Sequence, residues 1–168
     1  MFFFYKILGL LIIVLSPIII LIRIINKKEN PKRFKEKFCF FTKNRSKGKL
    51  VWFHGSSVGE IISLIPIKKK IEKKKNVKVI LITSSTLSSS FIISNFKFKK
   101  TIHQFFPLDT DYFSNKFLNY WKPSLAVFVE SEIWPNMYSN LDKKKIPLVL
   151  LNAKITAKSF YRWSKFPN

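Results

Sequence analysis

Five short apolar runs recur along the chain, each followed by a polar loop and then an amphipathic segment. This alternation constrains the fold more than any other feature. LVWFH at 50–54, VKVILIT at 77–83, TIHQFF at 101–106, LAVFV at 125–129 and IPLVLLN at 146–152 have the length of buried strands. Between them, a segment from about 58 to 75, TLSSSFIISNF, DYFSNKFLNYW and the stretch after Pro135 read as helices. Continuous apolar strands alternating with helices predict βαβ units, and so an α/β domain with a parallel sheet covered on both faces. Ligands of such sheets bind outside the carboxyl ends of the strands. The loops HGSSVGE, TSSTLSSS, PLDTD, ESEIWPN and NAKITAKS are therefore where chemistry is to be sought.

Upstream, ILGLLIIVLSPIIILI at 7–22 carries no charge and is bounded by Lys6 and Arg23. With MFFFY before it, this stretch approaches the ~20 apolar residues of a bilayer span. No small-x-small cleavage site follows, so the segment reads as a signal anchor over 1–25 rather than a removed leader. Pro17 is tolerable there and can kink the helix. Arg23, Lys27, Lys28, Lys32, Arg33, Lys35 and Lys37 follow the stretch, whereas only Lys6 and the amino terminus precede it. The positive-inside rule then places the remainder in the cytoplasm. The basic segment 26–48 is expected to rest on anionic lipid headgroups, at about 1 kcal/mol per charge near the surface.

The chain has 31 Lys and Arg against nine Asp and Glu, a formal charge of +22. Such a balance suggests nucleic acid or an anionic membrane. The runs KKK at 68–70, KKK at 73–75, KFKK at 97–100 and KKK at 143–145 fall at helix ends or connections, as solvated faces do. No RNP pattern, zinc spacing or recognition-helix pattern accompanies them, so no specific nucleic-acid partner is expected. The single Cys39 excludes an internal disulfide and fits a reducing compartment. No G-x-G-x-x-G or P-loop pattern is present, no G-x-S-x-G elbow frames the serines, and no His pair has metal-ligand spacing.

Two of the strand-end loops carry carboxylates in informative places. Ser57-Val-Gly-Glu60 fits the capping box, in which both side chains satisfy amides at a helix start. The same position, at the sheet mouth beside a helix N-terminus, suits a base that takes a proton from a substrate hydroxyl. The two roles are compatible. Glu130 ends the fourth apolar run and is a candidate for function, whereas Ser131 and Glu132 before Pro135 read equally as helix-start residues. His54 and His103 read as structural, and Asp109 as an N-cap for the helix that follows it.

VWFHGSSVGE, ILITSST, FFPLDT, KPSLAVFVESEIWPN and IPLVLLNAKITAKSF, taken together over about residues 31–163, resemble the bacterial 3-deoxy-D-manno-octulosonic acid (Kdo) transferases. The resemblance implies the N-terminal, Rossmann-like half of a GT-B glycosyltransferase that is inverting, metal-independent and free of cofactors. It implies CMP-Kdo as donor and the lipid A precursor lipid IVA as acceptor, at the cytoplasmic side of the bacterial inner membrane. It makes Glu60 the proton acceptor and Glu130 the transition-state stabiliser. Ser56, Ser57, Gly59, Thr83, Glu132, Asn152 and Lys154 become substrate-binding candidates. Ser89 stands where that family usually has Gly, and Lys154 where it has Arg. The family's donor-binding C-terminal domain lies outside 49–168, which leaves two expectations: the acceptor half of an enzyme completed by further sequence or a second chain, or a non-catalytic membrane-anchored module or relic.

Overall fold

The computed structural model describes residues 2–96, 98–130 and 132–165. Strands β1 (Lys49–His54), β2 (Val77–Ser84), β3 (Thr101–Phe105), β4 (Leu125–Val129) and β5 (Leu148–Leu151) form one sheet in the order β3-β2-β1-β4-β5. Every pairing is parallel, as the run lengths and spacing predict. The chain starts in the middle at β1, moves outward through β2 to β3, then returns to β1's other side for β4 and β5. This is a Rossmann-like α/β sheet.

Because side chains alternate along a strand, β1 feeds two cores. Val51 and Phe53 pack with Ile61 and Leu64 of α2 (Val58–Glu72) and Ile93 of α3 (Leu87–Asn95). Leu50 and Trp52 pack with Phe117 and Trp121 of α4 (Asp111–Trp121) and Met137 and Leu141 of α5 (Pro135–Lys143). A short α6 (Ala157–Trp163) follows β5. Lys68, in one of the lysine runs read as solvated, is instead buried, pairing with Glu72 at 2.7 Å and lying 3.5 Å from the Phe98 ring centroid. Lys97 of another run lies outside the described residues.

The caps follow side-chain chemistry. Ser57, Thr86, Thr110 and Thr156 each accept the amide three residues on and start α2, α3, α4 and α6. Helix α5 has no such residue, because its N-cap is Trp134 and its first position is Pro135. Its free amides are satisfied from elsewhere. Asp109 accepts from Asn136 N at 3.1 Å and Met137 N at 2.8 Å. The expectation that Asp109 caps the helix directly after it is thus corrected: Thr110 does that, and Asp109 caps α5 across the molecule.

Helix α1 (Phe2–Ile25) lies against the domain. The Tyr5 hydroxyl donates to Asp109 Oδ2 at 2.7 Å, Gly9 sits against Thr110, and Ser16 and Ile20 are buried. Leu11, Val14, Leu15, Ile18 and Leu21 face outward. Among the described residues no helix is long and apolar enough to cross a membrane. The expected span therefore finds no support in the structure, which gives α1 one packed and one bare apolar face.

The basic segment after α1 is also folded onto the sheet. A 3-10 helix, Phe34–Phe38, presents Glu36, fully buried, to the outer edge of β3. Glu36 accepts from Arg33 at 2.7 and 2.8 Å, from Thr42, and from Phe105 N at 2.9 Å. Glu29, also buried, accepts from Arg23 at 3.2 Å and from Lys37. Scarce acids thus neutralise three of the cations expected to meet headgroups, and they cover an edge that would otherwise invite pairing. Lys27, Lys28, Lys32 and Lys35 remain exposed. Glu36→Ala strands the buried Phe105 amide and should lower stability by about 1–3 kcal/mol in urea unfolding. An unchanged midpoint would show that Glu36 is not a structural partner of β3.

Candidate functional site

A parallel sheet opens a crevice where successive connections leave in opposite directions, and in this sheet that point lies between β1 and β4. The β1 loop runs into α2 on one face and the β4 loop into α5 on the other. The carboxyl ends of these two strands carry Ser56, Ser57 and Glu60, and Glu130 and Glu132.

Ser56 joins the two loops. Its N–H donates to Glu60 Oε2 at 2.9 Å, and its hydroxyl donates to Glu132 Oε2 at 2.6 Å. Its carbonyl accepts from Ser89 Oγ at 2.9 Å and Thr86 Oγ1 at 3.3 Å. Ser85 Oγ lies 3.1 Å from Ser56 Oγ. Trp134 Nε1 also donates to Glu132 Oε2, at 2.9 Å. Behind this layer His54 is fully buried, with Nδ1 2.9 Å from Thr83 Oγ1 and Nε2 3.5 Å from Glu132 Oε2. Thr83 Oγ1 also accepts from Trp52 Nε1 at 2.9 Å and donates to the Phe53 carbonyl at 3.4 Å.

Local backbone geometry serves the same end. A Cβ at Gly55 would come 3.1 Å from Glu60 Cβ, a tight approach, where the glutamate folds back over the loop. Ser57 Oγ accepts Glu60 N at 3.2 Å, giving the capping half of the expected motif. The Glu60 carboxylate reaches Ser56 N rather than the cap's own amide. Among the described residues Glu60 Oε1 accepts no hydrogen bond. Glu130 has φ 57°, a left-handed conformation that costs a non-glycine residue about 1–2 kcal/mol. Such strain is concentrated at functional turns. The Glu130 amide donates to Leu151 O at 2.8 Å, which brings the end of β5 alongside.

A family model described as 3-Deoxy-D-manno-octulosonic-acid transferase (kdotransferase) matches residues 32–168. The chain belongs to this Kdo transferase family. A "Probable 3-deoxy-D-manno-octulosonic acid transferase, mitochondrial" of Arabidopsis thaliana is 39% identical over 136 residues, covering 81% of this chain and 30% of the relative. A 3-deoxy-D-manno-octulosonic acid transferase of Rickettsia bellii is 37% identical over 161 residues, 96% of this chain and 38% of the relative. A "Bifunctional glycosyltransferase/methyltransferase" of Fusobacterium nucleatum is 30% identical over 118 residues, 68% of this chain and 18% of the relative. The chain corresponds to the N-terminal domain of a Kdo transferase and spans at most 38% of the length of these three.

Within this Kdo transferase domain the residues expected from sequence sort into layers. Ser56, Glu60 and Glu132 are hydrogen-bonded together, and Ser57 and Gly59 are exposed on the first turn of α2. Thr83 has no exposed surface and supports His54 from behind, so it reaches a ligand only through other residues. Asn152, with φ 54°, and Lys154 lie exposed beyond β5, on the same side as Glu130. Ser131 lies outside the described residues. Sequence reasoning missed Ser85 and Trp134, although the serine loop and the E-S-E-I-W-P-N stretch both signalled them. Ser89, an expected departure, holds the Ser56 carbonyl.

The electrostatics separate the charges. Burial would raise the Glu132 carboxyl, but His54, Ser56 and Trp134 outweigh it and hold the pKa below the usual carboxylate value. Burial also lowers the His54 pKa against the pull of Glu132, so the pair is a neutral imidazole beside a carboxylate. His103, whose Nε2 is 2.9 Å from Ser84 Oγ, is pushed down to about 3 by burial and by Arg33. A histidine whose folded pKa lies below its ordinary 6.5 leaves the unfolded chain binding more protons between the two values. Stability is therefore fully present above pH 6.5 and lost as pH falls towards 3, by up to ~1.4 kcal/mol per pH unit for each histidine. Urea midpoints measured from pH 7.5 to 5 should fall accordingly, and His103→Asn should flatten the slope. A midpoint independent of pH over that range contradicts the buried neutral histidines.

Proposed function

We propose that this chain is the acceptor-side half of an enzyme that transfers Kdo from CMP-Kdo to the lipid A precursor lipid IVA. Family membership supports the transfer of Kdo. The observation that carries the site assignment is the bridge through Ser56, which joins Glu60 and Glu132 at the point where the connections diverge. In this mechanism Glu60 Oε1 takes the proton of an acceptor sugar hydroxyl as that oxygen attacks the anomeric carbon of Kdo. The bond to the phosphate breaks on the opposite side, CMP departs with the electron pair, and configuration inverts. Glu130 organises the transition state, Glu132 holds Ser56 and the loop, and Asn152 and Lys154 contact substrate from β5. The step needs a positioned base but no metal or cofactor, and added EDTA should leave the rate unchanged.

In this reading residues 1–25 form the membrane-seating segment, 26–48 the basic connection and 49–168 the acceptor domain. The bare apolar face of α1 and the exposed lysines after it hold the enzyme to the cytoplasmic face of a bacterial inner membrane. The donor site belongs to the additional length that the relatives have. The alternative is a non-catalytic membrane-anchored binding module.

The test joins this chain to the remainder of the Rickettsia bellii relative and measures transfer from CMP-Kdo to lipid IVA. Glu60→Gln should lower kcat about 10²–10⁴-fold, the usual contribution of a general base, with little change in acceptor KM. A variant retaining more than a tenth of the rate sinks the base assignment. No transfer from the unsubstituted chimera, with lipid IVA still bound, favours the binding module.

A further inference from the structure

A cavity of about 220 Å³ lies between α1 and the strand-end loops, and its wall is shared with the carboxylate site. Ile12, Phe106, Pro107 and Leu108 supply hydrocarbon, while Ser85 and Trp134 belong to both places. Ser85 Oγ is 3.1 Å from Ser56 Oγ, and Trp134 Nε1 is bonded to Glu132. The polar groups of the lining are already engaged. Asp109 accepts from Tyr5, Asn136 and Met137, and Thr110 Oγ1 accepts the Phe113 amide. What the cavity offers an occupant is therefore apolar contact.

We propose that this cavity binds one linear acyl chain of a lipid substrate whose polar end lies at Ser56 and Glu60. The inference rests on the transferase reading above and adds to it a subsite for the hydrocarbon part of the acceptor. Two features select an acyl chain over other apolar occupants. An apolar cavity of about 150 Å³ accommodates a benzene, so about 220 Å³ admits a longer hydrocarbon segment. The cavity is walled by Tyr5, Gly9 and Ile12 of α1, whose outward residues Leu11, Val14, Leu15 and Ile18 are bare, so the same helix borders the cavity and offers an apolar face to a lipid surface. Helix α1 thus forms one wall of a binding site, and Gly9 is small where the helix meets Thr110.

The test is photolabelling of this chain with a C16 fatty acid bearing a terminal diazirine, with labelled peptides mapped by mass spectrometry. Labels are expected on residues 106–110 and on Trp134. A Cβ at Gly9 would meet Thr110 Cγ2 at 3.6 Å, an ordinary contact, and Gly9 lines the cavity, so Gly9→Leu is the plug variant. It should cut labelling there about tenfold, whereas Ile62→Ser, on the exposed face of α2, should not. If Gly9→Leu unfolds by circular dichroism, Leu108→Trp serves as the plug. Labels spread along residues 11–22, or labelling indifferent to the plug, overturn the proposal.

Labelling needs no donor sugar, so it stands apart from the transfer assay. In the chimera, O-deacylated acceptor should show a KM at least about tenfold higher than lipid IVA. Equal KM values overturn the acyl subsite and leave transfer intact. No transfer to either acceptor counts against the transferase reading, and labelling alone then decides the cavity.

Discussion

Ser56 is the residue on which the site depends. It stands one position past the end of the β1 ladder, where Gly55 N still bonds to Thr83 O at 3.2 Å. From there its N–H faces Glu60 and its hydroxyl faces Glu132. Two carboxylates from opposite sides of the crevice are thereby fixed relative to one another by a single serine. Other features maintain that residue: Ser57 starts α2 so that Glu60 folds back, Gly55 leaves room for it, and Ser89 holds the Ser56 carbonyl. His54 and Thr83 form a neutral, buried base plate beneath Glu132. A hydrogen bond to a charged acceptor is worth about 1.5–3 kcal/mol, so each of these contacts is large enough to set a conformation.

Asp109 plays the corresponding role for the helices. It supplies the cap that α5 lacks and also accepts the Tyr5 hydroxyl, so the first turns of α1 and the loop bearing Glu132 and Trp134 meet at one carboxylate. The wall of the acyl cavity and the position of Trp134 are consequently linked. The same economy appears at Glu29 and Glu36. In a chain with few acids, those that are buried organise the basic residues around them rather than leaving all of them to solvent.

Much of this was legible in the sequence, for physical reasons. Strand positions follow from five apolar runs whose two-sided burial demands uninterrupted hydrophobicity. The start of α2 follows from the spacing of Ser57 and Glu60, which is a local matter. Non-local pairings were not legible. Asp109 precedes a helix and reads as its cap, yet Thr110 takes that place and Asp109 serves a helix more than twenty residues away. The charges of 26–48 read as a headgroup-binding stretch because nothing local shows that Glu36 will meet the amide of Phe105. His54 reads as structural in the sequence, and its place under Glu132 depends on two strands far apart in the chain. The apolar content of 7–22 was evident, whereas the selection of Gly9, Ser16 and Ile20 as a packed stripe depends on the surface they meet.

The bridge at the centre of the site requires that Ser56 work through Glu132. A double-mutant cycle measures this in the chimeric transferase, with kcat determined for Ser56→Ala, Glu132→Gln and the pair together. If the hydroxyl's role is to hold that carboxylate, the double variant is no slower than the slower single one, within about a factor of two. Losses that multiply would show that the two side chains act independently, and would contradict the bridge at the centre of the site.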